Sequence, residues 1–403
     1  MKKIIIAVTA LFQTILATYA IEIFNNHFVT TILFFLCSIL IGVCSLGNST
    51  PTYHVKLQSK NYYYIVLCSL PYLVASYFLC RKILDGTPIA IEHADMLPVI
   101  KAMNTRLING ELNAMYTPIK EIWNGVQPVY LPCMFVPFLL ADWLNFDMRW
   151  ITISAVWISI FICMLPVKKV ISWSSATIFV GIAILLIWFH FNGMNNVFRL
   201  TEEGVVYLYY CLFFVALFYK NPYLIGVSLA FCLLSRYAII GAIPAMMLYY
   251  LVKQRFVYLL KMVSSCSIVV CLFFLFPFGT NAIYQLVKVP EIYIQLASNV
   301  WKNNPEFMYK SLGFAKFFGA KGILLQHQIL KYGTFIFPLL IIVFILVLEK
   351  VKQVKYTGVE VCVSVCSIGF FYSFIDISYL YLYYTPVFVS LVCAAYASMP
   401  KKK

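Results

Sequence analysis

Apolar runs of about 17–22 residues, each long enough to cross a hydrocarbon core of roughly 30 Å as a helix, recur along the chain between short hydrophilic joints. They fall near 4–22, 28–46, 62–80, 149–166, 172–190, 204–219, 222–235, 237–252, 256–278, 333–348, 357–375 and 377–398. Backbone groups surrounded by lipid need partners within their own segment, so these runs predict α-helices. The pattern describes an all-α, polytopic transmembrane bundle of about twelve spans, one domain over 1–403. One further apolar run, 129–144 ("VYLPCMFVPFLLADWL"), is short and holds Pro132 and Pro137. It reads as a re-entrant or interfacial segment, because an internal proline removes a helix hydrogen bond.

Charge orients the bundle. With the N-terminus inside, the joints 47–61, Lys168-Lys169, Lys220, Lys253 to Arg255, Lys350 to Lys355 and Lys401 to Lys403 are cytoplasmic. They collect every basic cluster of weight except those in two long loops, as the positive-inside rule expects. Both termini are then cytoplasmic. The opening "MKKIIIAVTALFQTILATYA" resembles a secretory signal peptide but also reads as a retained first helix; retention is the expectation, and Lys2 and Lys3 hold its start inside either way. The extracytoplasmic face carries a first loop over 81–148, which includes the interfacial segment, a second over 279–332, and a short polar loop near 191–203. Long loops in a chain otherwise joined by tight turns are where binding and catalysis are expected.

Composition narrows the class. A chain with 63% hydrophobic residues, 34 Phe and 29 Tyr cannot cover a water-exposed surface with polar groups, which makes it an integral membrane protein. A net charge of +15 would suggest nucleic acid in a soluble chain, but here the cations sit in membrane joints, so no nucleic-acid partner is expected. The 13 cysteines lie mostly inside apolar runs without metal-binding spacing and read as buried structural thiols.

Only 15 acids occur, so their positions carry information. Glu92, His93 and Asp95 stand close together in the first long loop. A carboxylate partly removed from water gains basicity and can take the proton from an acceptor hydroxyl; a solvated loop acid and a plain loop histidine are the alternatives. In "FRLTEEG", 198–204, Thr201 suits an N-cap, and Glu202 and Glu203 suit the first turn of a helix beginning near Gly204. That role leaves Arg199 unexplained. Arg236, within "LAFCLLSRYAIIGAIPAMML", needs an anionic partner in so apolar a setting: a phosphate gripped bidentately, a lipid headgroup or a nearby Glu.

Two blocks of residues resemble a known family. Asp95 followed by Gly110, Tyr116, Pro128, Tyr130 and Pro132 is similar to a "D … G … Y … YPP" pattern. Arg199 followed by Glu202 or Glu203, then Gly226 and Arg236, is similar to "R-x-N-x-E … G-L … K/R", and a Tyr-rich final span with Pro386 is also family-like. Over about 90–250 the chain thus resembles the GT-C membrane glycosyltransferases, especially the polyprenol-phosphate-mannose-type enzymes and bacterial glycosyltransferase family 87. It departs in placing two helices before the acid loop, in lacking the Asn between Arg199 and the acids, and in lacking Pro-Pro after Tyr130.

The resemblance implies transfer of a sugar, with inversion, from a polyprenyl-phosphate donor to a hydroxyl outside the cytoplasm. Asp95, with Glu92 beside it, would be catalytic. Arg199, Glu202, Glu203, Arg236, His93, Tyr116 and Tyr130 would bind substrate or lipid phosphate. No metal or cofactor is implied beyond the lipid-phosphate sugar, and the partners would be membrane lipid and a glycan, lipid or protein acceptor. Phe307, Phe314, Phe317 and Phe318 would shape a lipid-facing mouth. The competing classes are a transporter or flippase of a lipid-linked or charged substrate and a surface-polysaccharide polymerase. The chain has neither the internal repeat nor the mid-span carboxylate usual in transporters.

Overall fold

A computed structural model describes residues 2–19, 26–47, 60–122, 125–166, 173–192, 197–287 and 289–397. Among them the chain is helical, with no strand beyond one isolated bridge, Ile119 to Val126. The principal helices are α1 (Lys2–Thr18), α2 (His27–Ser45), α3 (Lys60–Asp85), α4 (Met96–Ile108), α5 (Arg149–Met164), α6 (Trp173–Phe191) and α7 (Glu203–Tyr219). They continue as α8 (Pro222–Leu233), α9 (Ala242–Val252), α10 (Phe256–Val270, extended by a π turn and a further helix to Val287), α11 (Val289–Asn303), α12 (Ile323–Lys352), α13 (Val359–Phe374) and α14 (Tyr384–Ala397). The joints at Lys168-Lys169 and Lys401 to Lys403, most of 47–61 and part of the 191–203 loop lie outside the described residues.

A helix stands at every apolar run, but the lengths differ from those expected. Among the described residues four segments are long and apolar enough to cross a membrane: His27–Ser45, Phe256–Leu286, Ala320–Lys352 and Leu380–Ala397. Others are shorter. The 12 residues of α8 reach only about 18 Å at 1.5 Å per residue, short of a hydrocarbon core. Large apolar side chains such as Trp143, Phe191, Leu260, Phe276 and Val351 face outward, as a membrane protein requires. The 129–144 run is broken, as its prolines foretell, into a helical turn at Pro132–Phe135, a 3₁₀ turn at Val136–Phe138 and a short helix Leu139–Leu144, which ends on left-handed Asn145.

Beside a buried mid-helix contact of Gln13 with Ser38 at 2.8 Å, polar contacts gather at two ends of the bundle. At one, Lys2 Nζ donates to the Leu46 carbonyl at 2.8 Å, Gly47 N–H donates to Thr357 O at 2.9 Å, and Lys253 pairs with Glu349. At the other, Lys316 Nζ donates to His27 O at 3.0 Å, Arg149 Nη2 to Leu84 O at 3.1 Å, Cys133 N–H to Leu234 O at 2.9 Å, and Phe314 N–H to Ser373 O at 2.7 Å. This second end holds the long loops. The first loop forms a second hydrophobic cluster, in which Leu97, Met103, Tyr116, Phe135 and Phe138 pack with Phe274 and Phe278 of the α10 extension, and Tyr130 packs against both that cluster and the main core.

Close helix approach fixes the α8–α9 hairpin. A Cβ on Gly241 would collide with the Thr334 carbonyl of α12. Gly241→Ala is therefore expected to cost about 1–3 kcal/mol by overpacking, read as a lower thermal unfolding midpoint of the purified chain; an unchanged midpoint would mean that α9 and α12 do not pack this way.

Candidate functional site

The α5–α7 contact places the first pair of acids. A Cβ on Gly204 would strike the Thr152 carbonyl and side chain, so α7 can lie against α5 only with glycine there. Thr152 Oγ1 donates to Thr201 O at 2.8 Å and holds the entry to α7. The expected cap does not form. Thr201 turns its hydroxyl back to Val197 O at 3.0 Å, the N-cap position is Glu202, and no side chain caps the first turn. Glu202 and Glu203 are instead buried, at 1% and 0% exposure.

What neutralises them is Arg236, at the tip of the α8–α9 hairpin. Its Nη2 donates to Glu203 Oε1 and lies 3.4 Å from Glu202 Oε1, and Tyr210 donates to the Arg236 carbonyl at 2.6 Å, fixing the tip. Of the partners open to Arg236 on sequence, the nearby Glu is the one observed. One guanidinium facing two buried carboxylates is not enough to keep both comfortably ionised. Burial, reinforced by Glu203 and opposed by Arg236, pushes the Glu202 carboxyl above the usual carboxylate range.

Asp95 reaches the same place from the first loop. It occupies the N-cap position of α4 in the right-handed helical region, yet its carboxylate makes no cap hydrogen bond. Burial raises its proton affinity, partly offset by its own backbone N–H. Asp95 lies within electrostatic reach of Glu202, and both lie within reach of the Tyr130 hydroxyl. Tyr379, within reach of Asp95, stacks on Tyr381 at 5.7 Å and 11°. Tyr381 is anchored by contact of its hydroxyl with Met96 Sδ at 3.1 Å and by its carbonyl accepting from Tyr207 at 2.9 Å. Tyr293, from α11, lies within reach of Arg236 and Glu202. Segments far apart in sequence thus bring acids, one guanidinium and several tyrosines within electrostatic reach of one another.

Other expected site residues stand elsewhere. Glu92 and His93 are exposed. Arg199 donates through Nε to Thr87 Oγ1 at 2.8 Å, and its carbonyl accepts from Arg149 at 3.2 Å, in a network that ties α3 to the start of α5. Tyr116 lies inside the loop cluster, edge-on to Phe274 and Phe278. Phe314 stacks on Phe374, Phe318 lies near it, Phe317 meets Phe28, and Phe307 meets Tyr379, so these rings fasten the second loop to α2, α13 and the Tyr379–Tyr381 stack.

One polar group at this end escapes sequence reasoning. Asp376 Oδ2 accepts from His327 Nδ1 at 2.9 Å, and Asp376 lies within reach of Tyr293 and Tyr237. The available signal was a lone acid in the apolar stretch "FIDISYLYLYY". Among the described residues, no group of three His, Cys, Asp or Glu is arranged to hold a metal ion. Several buried polar atoms lack hydrogen-bond partners: Glu202 Oε2, Glu203 Oε2, Arg236 Nε and Asp376 Oδ1. Such groups are ordinarily satisfied, which marks these residues as a place for a polar ligand or water. Comparison with protein-family models, with curated proteins and with solved structures finds no match to the chain.

Proposed function

We propose that the chain is an integral-membrane glycosyltransferase that moves a sugar from a polyprenyl-phosphate donor to an acceptor hydroxyl on the extracytoplasmic face. In this proposal the apolar helices make about twelve crossings or partial crossings, the short ones lying where the bilayer is locally thinned, with both termini cytoplasmic. The observation that carries it is Asp95, a half-buried carboxylate that caps nothing and lies within electrostatic reach of Glu202, which shares Arg236 with Glu203. Asp95 would accept the acceptor's proton as its oxygen attacks the anomeric carbon. The bond from that carbon to the phosphate oxygen breaks, the electron pair leaves with the lipid phosphate, and a single displacement inverts the configuration. Arg236 Nε–H, buried without a partner, is the donor left for a phosphate oxygen whose charge grows in the transition state, while Glu203 holds the guanidinium in place.

Movement of a charged or lipid-linked substrate is the second reading, and the buried acid–arginine cluster favours it, since such groups also serve as proton relays in transporters. Proteoliposomes loaded with radiolabelled mannosyl- or glucosyl-phosphoprenol separate the two. Transfer predicts label in a new glycosidic product together with free polyprenyl phosphate. Intact donor crossing the bilayer, with no phosphate released, would sink transfer and leave transport.

A further inference from the structure

The transfer chemistry above makes no use of Asp376, although it is among the most completely buried acids of the chain, at 4% exposure. The turn that carries it is pinned: Gln326 Nε2 donates to the carbonyls of Phe374 at 3.2 Å and Ile375 at 2.8 Å. His327, one residue on, brings Nδ1 to Asp376 Oδ2. A pinned turn and an oriented carboxylate fix the direction of the other oxygen, Oδ1, which has no partner. Tyr237 and Tyr293 lie within electrostatic reach of Asp376, and Tyr293 also lies within reach of Arg236 and Glu202, so one tyrosine links the acid to that cluster.

The unmatched atoms indicate the chemistry that would satisfy them. Three buried carboxyl oxygens, on Glu202, Glu203 and Asp376, lack donors, and the unpartnered donors among the described residues include Arg236 Nε–H and the Tyr372 hydroxyl, which lies within electrostatic reach of Glu203 and Arg236. A second anion would meet excess negative charge there, because Arg236 is already paired with Glu203. A neutral polyol supplies several O–H donors, and a tyrosine ring supplies an apolar face for its C–H surface. We propose that Asp376, positioned by His327, is a hydroxyl-recognition subsite that seats a neutral sugar against Tyr293. The transfer reading enters only in calling that sugar the acceptor's glycosyl unit; binding itself needs no turnover.

The test uses the full chain in phosphatidylcholine nanodiscs free of glycoside detergent. Octyl α-mannoside and octyl β-glucoside are titrated, with 1-octanol as the control for the alkyl tail, and the thermal unfolding midpoint is followed. At least one glycoside should stabilise the wild-type chain and octanol should not. A hydrogen bond to a charged group is worth about 1.5–3 kcal/mol, so Asp376→Asn, which keeps the shape, should weaken binding about 10-fold or more. His327→Gln should weaken it less, since Asp376 remains. Wild-type chain that binds the glycoside but makes no transfer product from a polyprenyl-phosphate sugar would remove the transfer reading and keep this subsite. Failure of both glycosides, an equal shift with octanol, unaltered binding in both Asp376→Asn and His327→Gln, or binding abolished by EDTA would each overturn the proposal.

Discussion

Asp95→Asn is expected to lower kcat for glycosyl transfer by about 100-fold or more, the usual contribution of a general base, while the chain folds normally. Asn keeps the size of the side chain and loses only the charge, and Asp95 holds no helix cap whose removal could confuse the result. Because burial raises the Asp95 pKa, the acid limb of the wild-type pH profile should lie above the ordinary carboxylate range. Activity falls as pH drops through that limb, since a base must be deprotonated. The stability sign is opposite. A raised folded-state pKa favours the neutral side chain, a contribution that is complete below the unfolded pKa and is lost as pH rises through the folded value. At neutral pH the Asn variant should therefore unfold at the same temperature as wild type or slightly above it. Near-normal turnover by Asp95→Asn would dismiss Asp95 as the base.

The second large effect belongs to Arg236. Arg236→Gln leaves Glu202 and Glu203 buried without their cation, and breaking a buried pair from one side costs about 3–5 kcal/mol. The variant should show a markedly lower unfolding midpoint and no transfer. Arg236→Gln combined with Glu203→Gln replaces the charged pair by two amides that can bond to each other, so it should recover much of the stability but none of the activity. That split separates the guanidinium's work on phosphate from its role as counter-charge. Glu202→Gln and Glu203→Gln should also differ, because Arg236 bonds Glu203 closely and Glu202 only at 3.4 Å: the Glu203 substitution should destabilise the chain more. An Arg236→Gln chain as stable as wild type would mean that the acids are not ionised together with it.

The positions of the helices were legible because an apolar run has a length and a boundary. Gly279, with φ of 65°, interrupts the helical backbone just where the 256–278 run stops. The lengths were less legible, since 237–252 and 377–398 each begin with a 3₁₀ turn, Tyr237–Ile239 and Leu380–Tyr383, that composition does not distinguish from helix. Asp95 and the Glu202–Arg236 neighbourhood stood out because charge is scarce, and an arginine in an apolar run implies an acid somewhere. Which acid it chooses is a packing result: Gly204 lets α7 lie close on α5 and Gly241 lets the start of α9 lie close on α12, and these approaches set where the acids and Arg236 stand. The same packing turned Thr201 away from capping, sent Arg199 to Thr87 and left Glu92 and His93 in the open. The His327–Asp376 contact spans 49 positions and leaves no periodic trace in the chain.

Release of free polyprenyl phosphate, measured beside formation of the new glycoside, tests the central claim most directly. Purified wild-type chain, Asp95→Asn and Arg236→Gln are reconstituted with mannosyl- and glucosyl-phosphoprenol and a mixed lipid and glycan acceptor extract. The predicted result is equimolar release of lipid phosphate and product by wild type, with inverted anomeric configuration, and loss of both in each variant. Release that persists in both variants, or a product of retained configuration, would contradict it.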